Sequence, residues 1–224
     1  MPNHVRNILD LSGPKKDIEK LFNTVITYKR EHEDANVAPE LDFQKIIPMP
    51  GELSIESAPN GRLGVEYLNG DEEAIRQIEK MDKNQQEKVI KLGREYIENS
   101  KNHGFQNWYH WAIHSWGTKW SAYWTHISDD NTSISFSTAW STPEPIIVKL
   151  SEMFPDIEFT HRWADEAWGS NVGKIIFLNG ESIDVEIPEN CSIRAYELLF
   201  EVDPLAEENF QLINGQYLYI DDDE

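Results

Sequence analysis

The side chains best equipped for chemistry crowd into one stretch. Trp108, Trp111, Trp116, Trp120 and Trp124 fall within 17 residues, with Tyr109 and Tyr123 among them and Trp140 soon after. Indole rings offer large rigid faces and one N–H donor. That equipment suits interface anchors and pockets that stack a planar ligand. The same rings equally suit a core between a helix and a sheet, and both readings stand at this level. Within Gly117-Thr118-Lys119, the ammonium of Lys119 lies among tryptophans, where it can contact a ring face or meet an anionic ligand. The segment lacks the spaced glycines of a phosphate-binding loop. Trp116, Lys119, Trp120 and Trp140 are therefore the candidate residues for holding a small, nucleotide-type ligand.

Other reactive groups form weaker constellations. His110 and His114 are four apart and share a face if helical, and His126 follows on a strand. A catalytic zinc needs a third ligand and a supporting shell, and there is no HExxH. No metal and no cofactor is expected. Asp165-Glu166, near His161 and Arg162, could exchange protons if burial separated their pKa values. Neighbours on a strand point to opposite faces, however, which opposes a working pair. Cys191 is the single cysteine and has no accompanying histidine signature. No catalytic residue is assigned, and an enzyme is the less favoured class.

Charge narrows the partners. The net charge is −20, and the acids are uneven: residues 181–224 hold 13 acids against one base, residues 1–180 hold 27 against 19. A phosphate backbone needs a basic patch, so direct nucleic-acid binding is disfavoured. A basic protein surface is the matching partner, and the terminal Asp221, Asp222, Asp223 and Glu224 are candidate contacts. One cysteine permits no internal disulfide, and neither a signal peptide nor an apolar run of membrane-spanning length is evident. These features point to the cytoplasm.

The elements that must position these groups follow from periodicity. A strand over 3–11 leads through Ser12-Gly13-Pro14 into a helix over 14–31, and 41–47 alternates like a strand. Residues 51–104 are charged and helical, with Asn-Gly turn signals at Asn60-Gly61 and Asn69-Gly70. Strands over 121–127 and 132–139 flank the turn Ser128-Asp129-Asp130-Asn131. A helix over 143–154 follows, capped by Ser141 or Thr142. Strands over 158–164 and 173–178 come next, and Asn179-Gly180 and Asn214-Gly215 mark hairpins. The pattern is α+β: a ferredoxin-like antiparallel sheet with helices on one face over 1–187, a helical insertion at about 51–104, and an acidic C-terminal extension over 188–224, helix plus hairpin.

Four segments carry a resemblance: MPNHVRNIL at the start, FQKIIPMP at 43–50, NWYHWAIHSWGTKWSAY at 107–123, and FSTAWSTPEPII with LSEMFPDIEF across 136–159. Together with the looser ADEAWGSNVG at 164–173, they resemble the Api92-like family. The resemblance implies a ferredoxin-like domain and a phage or plasmid origin, and it supplies no catalytic residues. It runs to about residue 180 and leaves the acidic extension unmatched. The leading expectation is a non-enzymatic acidic protein that binds or inhibits a host factor with a basic surface, for instance a defence component. The alternatives are a nucleotide-type ligand in a tryptophan-lined pocket and an uncharacterised enzyme.

Overall fold

The computed structural model describes residues 3–30 and 37–220, in two compact units: residues 1–47 with 115–224, and residues 48–114. In the first unit, β1 (His4–Ser12) leads through Pro14 into α1 (Lys15–Val25), whose stripe Ile18, Leu21 and Val25 is buried. The helix does not run on to residue 31. Ile26, Thr27 and Tyr28 are β-branched or aromatic and suit an extended ribbon. They form β2 (Ile26–Arg30), which pairs antiparallel with β3 (Val37–Leu41) in register Ile26↔Leu41. The strand expected over 41–47 is likewise replaced. The Asp42 carboxylate accepts from Gln44 N–H and starts a 3₁₀ turn over Phe43–Lys45.

The second unit is helical. It holds α2 (Pro59–Leu68), α3 (Glu72–Glu79), α4 (Lys83–His103) and most of α5 (Trp108–Ser115). Asp82 and Gln85 form a capping box at the start of α4, and Gly104, at φ 78°, ends it. Asn60-Gly61 is not a turn. Pro59 sits in the first turn of α2, and the glycines that follow face α4. A Cβ on Gly61 would lie 2.3 Å from the Tyr96 ring, and one on Gly93 only 2.4 Å from the backbone of Gly64. The two helices therefore cross glycine on glycine. The freed ring of Tyr96 donates its hydroxyl to Glu56 O at 2.6 Å.

The first unit continues with β4 (Tyr123–Ile127), β5 (Ser133–Ala139), then α6 (Glu144–Met153), β6 (Glu158–Asp165), β7 (Gly173–Leu178) and β8 (Glu181–Glu186). They form one six-stranded antiparallel sheet in the order β4-β5-β1-β6-β7-β8. The four strands β6-β1-β5-β4 have the order and chain connectivity of a ferredoxin-like sheet, with α1 and α6 as its two crossovers. Asn179 and Gly180, at φ 50° and 81°, turn β7 into β8 as the Asn-Gly signal demands.

Alternation along the strands gives the sheet two distinct faces. Val5, Asn7, Leu9, Phe159, His161, Ile175 and Phe177 are buried on one, where Thr142, just before α6, touches Asn7 and His161. The other face shows Arg6, Ile8 and Asp10 of β1, Ser135 and Ser137 of β5, and Arg162 and Ala164 of β6. Part of it is covered by α7 (Ile193–Val202), capped by Ser192. This helix is apolar around most of its circumference, the mark of one covered on two sides. Ala164 and Ile8 lie beneath it. Phe210 and Tyr217, from the hairpin of β9 (Phe210–Ile213) and β10 (Gln216–Tyr219), lie over it. Salt bridges hold its polar edge: Arg162 engages Asp10 and Glu201, and Arg194 engages Glu186, Glu197 and Glu201. Arg194 lowers the pKa of the Glu186 carboxyl by hydrogen bonding.

The glycine crossing sets the first prediction. Gly93→Ala places a methyl group against the Gly64 backbone, which cannot yield as a flexible side chain would. A loss of about 1–3 kcal/mol is expected in urea denaturation. An equal change made at Gly51, where a Cβ meets nothing within 4 Å, leaves stability nearly unaltered.

Candidate functional site

The aromatic block divides into buried and exposed members. Trp116 is buried, its Nε1–H donating to Ile47 O at 2.9 Å and its ring edge-on to Phe43 at 5.8 Å. Its companions are elsewhere. Lys119 Nζ lies 4.5 Å from the Trp120 ring centroid and 4.7 Å from that of Trp140, and both indoles are about 40% exposed (39% and 42%). The structure thus brings together three of the four expected ligand residues, with the cation between two rings, and leaves Trp116 in the core. The other expected contacts, Asp221, Asp222, Asp223 and Glu224, lie outside the described residues.

The exposed aromatics continue onto the open face of the sheet. Trp120 meets Tyr123, which meets Trp124 at 5.0 Å, and His4 packs on Trp124 at 5.0 Å. Simple alternation in β4 would put Trp124 on the same face as the buried Ala122. A bulge between Tyr123 and His126 breaks that pattern, and Trp124 is 69% exposed. Trp124 and Trp140 also have positive φ, 51° and 73°. Bulky residues rarely hold that conformation, and strain of this kind gathers at functional sites. The Tyr123 hydroxyl donates to Thr138 O at 2.9 Å, so it accepts from Nδ1–H of His4 at 2.7 Å. Burial, with Glu166 adding negative potential, pushes the Tyr123 pKa up to about 12.

A cleft of about 450 Å³ opens beside this aromatic run. Ser135, Ser137, Arg6 and Ala164 form its floor, Trp124, His126 and His4 one side, and Trp168, Leu199 and Asp203 the other. Trp168 is set by the C-terminal hairpin: it stacks on Tyr219 at 5.7 Å and meets Phe210 edge-on at 5.3 Å. Asp203 closes on Arg6 at 2.6 Å. Asp165 is buried and fully engaged, accepting from Ala167 N–H at 2.9 Å and from the amides of Asn3 and Asn171. Its neighbour Glu166 is exposed, so the two carboxylates are not a proton-sharing pair. Sequence reading missed His4, Arg6 and Trp168. The one signal for Trp168 was an indole in the Ala-Trp-Gly-Ser loop between two strands.

Beneath the cleft, on the opposite face, lies a polar hub. His161 is fully buried, with Nε2 at 3.0 Å from Asn7 Oδ1, to which it donates, and 3.2 Å from Thr142 Oγ1. Thr142 does not cap α6. Its hydroxyl donates instead to Asn7 Oδ1 at 3.1 Å. The Asn7 amide donates to Val5 O and to Thr138 Oγ1 at 3.0 Å, and Thr138 donates to Ser141 O. Nδ1 of His161 is buried without a partner among the described residues, and burial lowers its pKa to about 3. The imidazole is therefore neutral and structural. His110 and His114 lie on α5 of the second unit, His126 on β4. Among the described residues no group of three or more His, Cys, Asp or Glu is arranged to hold a metal ion.

Residues 119–203, from just before β4 to the end of α7, match the family model described as the ferredoxin-like domain in Api92-like protein. This segment is similar to the ferredoxin-like domain of Api92-like proteins. The matched segment supplies much of the cleft: Trp124, His126, Ser135, Ser137, Glu166, Trp168 and Asp203. A crystal structure of a protein Api92 from Yersinia pseudotuberculosis aligns over 85% of this chain and 99% of that one, at 11% identity and a TM-score of 0.44. None of the curated proteins matches the chain. No helix among the described residues is long and apolar enough to cross a membrane.

The His161 environment predicts a pH effect. Its folded pKa is depressed, so above pH 6.5 it adds no pH-dependent term. As pH falls, the unfolded chain binds the proton first and the fold loses stability until the folded group titrates near pH 3. Between pH 7 and pH 5 this amounts to about 2 kcal/mol. His161→Gln keeps an N–H donor toward Asn7 without the titration. Its urea midpoint should fall less than the parent's over that range.

Proposed function

We propose that this chain is a non-enzymatic binding protein whose sheet-face cleft receives a cationic side chain from the basic surface of a partner protein. The observation that carries this reading is the cleft between Trp124 and Trp168, lined by the exposed carboxylate of Glu166 beside the Arg6–Asp203 ion pair, on a chain of net charge −20. Arginine lies flat on indole faces and pairs with carboxylates, so the two features suit one ligand group. The surrounding acidity would steer a basic partner to the site. In keeping with the mobile-element origin that the resemblance implies, that partner would be a host protein, with basic, nucleic-acid-binding defence components the leading class.

The test uses a short arginine-rich peptide and intrinsic tryptophan emission. Quenching with an affinity that drops as salt rises is expected, and Trp124→Ala should weaken it by about tenfold or more. Affinity indifferent to salt and to Trp124→Ala would overturn the reading. A second reading rests on Lys119 between Trp120 and Trp140: its ammonium can meet a phosphate while a base lies on an indole. Titration with ATP distinguishes it, since binding by that route is lost in Lys119→Ala and kept in Trp124→Ala.

A further inference from the structure

The two ends of the six-stranded sheet differ. β4, at one end, is met by the β2–β3 ribbon and the turn after it: Leu41 N–H donates to Thr125 Oγ1 at 3.2 Å and Phe43 N–H to Ser121 Oγ at 3.3 Å. β8 is the terminal strand at the other end, and no described strand lies beyond it. A terminal strand offers a row of backbone N–H and C=O groups to any extended chain that fits.

The side chains of β8 say what would fit. Ile183, Val185 and, just beyond the strand, Ile187 are all more than half exposed (53%, 54% and 65%). Asp184 and Glu186 alternate with them, and Glu181 and Glu189 flank the run. Glu186 is held by Arg194, while Glu181, Asp184 and Glu189 are exposed. Lysine and proline, common blunting residues of sheet edges, are absent from the strand itself, and its bulge lies at Ile183 on the pairing with β7. A second copy is a poor occupant. Pairing β8 with itself would set these acids against their own counterparts, between two chains of charge −20. An extended segment that alternates apolar and cationic residues matches both the exposed apolar side chains and the carboxylates.

We propose that β8 is the docking edge for an extended segment of a basic partner protein, added as a seventh strand. Its lysines or arginines pair with Glu181 and Asp184, and its apolar side chains cover Ile183 and Val185. This rests on the reading of the chain as an acidic binding protein, but uses a different surface from the cleft.

The probe is a short, fluorescently labelled peptide alternating lysine and valine, compared by anisotropy with the same peptide N-methylated at alternate amides. N-methylation keeps every charge and side chain but removes the edge hydrogen bonds. The parent peptide should bind in a salt-sensitive manner. Its affinity should fall by about tenfold or more on N-methylation and in the double variant Ile183→Lys/Val185→Lys, while Trp124→Ala has little effect. Both substituted side chains are exposed, and circular dichroism checks that the fold is kept. Equal affinity for the N-methylated peptide overturns the edge, because charge alone then accounts for binding. Loss in Trp124→Ala but not in the double variant moves the contact to the cleft and also overturns it. If arginine-rich peptide binds and the alternating peptide does not, the edge proposal fails and the cleft reading stands. If neither binds at low salt, both fail.

Discussion

At the centre of the sheet, Asn7 spends both ends of its amide. The Nδ2 group joins β1 to β5 through Thr138, and Oδ1 takes the imidazole of β6 and the hydroxyl of Thr142 ahead of α6. Buried polar groups are tolerated only when paired, and an unmet one costs about 1–3 kcal/mol. Three central strands and one crossover are therefore held in a single register. A slip of one residue would leave Asn7, Thr138 and His161 without partners and turn the apolar set outward. Thr138 extends the hub to Ser141, whose own hydroxyl donates to Gly117 O. Thr118, which donates to Ala139 O at 2.8 Å, adds a second tie. The turn that carries Lys119 and Trp120 is thereby anchored beside Trp140.

The opposite face depends on how far it is covered. α7 takes the half over β1, β6 and β7, and the hairpin of β9 and β10 closes over α7. The half over β4 and β5 carries the small serines Ser135 and Ser137, and a cleft lies at the border. One segment thus has two consequences: it buries apolar surface of the sheet, and it delivers Leu199, Asp203 and the support for Trp168. The acids of this region divide in the same way. Glu186, Glu197 and Glu201 are drawn into the arginine ladder along α7 and contribute to its seating. Glu181, Asp184 and Glu189 remain exposed along the β8 edge and shape its field. Isolated surface pairs contribute little, but a ladder shared by two arginines orients the helix as well as attracting it.

Several elements were legible because their determinants are local. The two Asn-Gly hairpins need positive φ that few residues supply. The alternation in β5, β6 and β7 needs only their own side chains. The misread elements share a cause. Whether residues 26–30 extend a helix or form a ribbon depends on β3, a separate segment. Asn60-Gly61 has the composition of a turn, yet its glycine is required by the ring of Tyr96, 35 positions later in the chain. Of the candidate site, Lys119, Trp120 and Trp140 were legible by type, Trp116 was misplaced, and His4, Arg6 and Trp168 were missed. A side chain's position in a cleft is set by strand register and by what covers the face.

Composition and local pattern by themselves determined the α+β class, the helical character of residues 51–104, the strand pairs joined by Asn-Gly, and the strong overall acidity. These depend on backbone preferences and total charge, which act over a few residues or over the whole chain. Only the tertiary structure decided which tryptophans are core and which are surface, that Trp124 is turned outward by a bulge, that His161 is neutral inside a hub, and that β8 is the terminal strand of the sheet among the described residues. Each of those outcomes is a matter of burial and register between segments far apart in sequence, and no local preference encodes it.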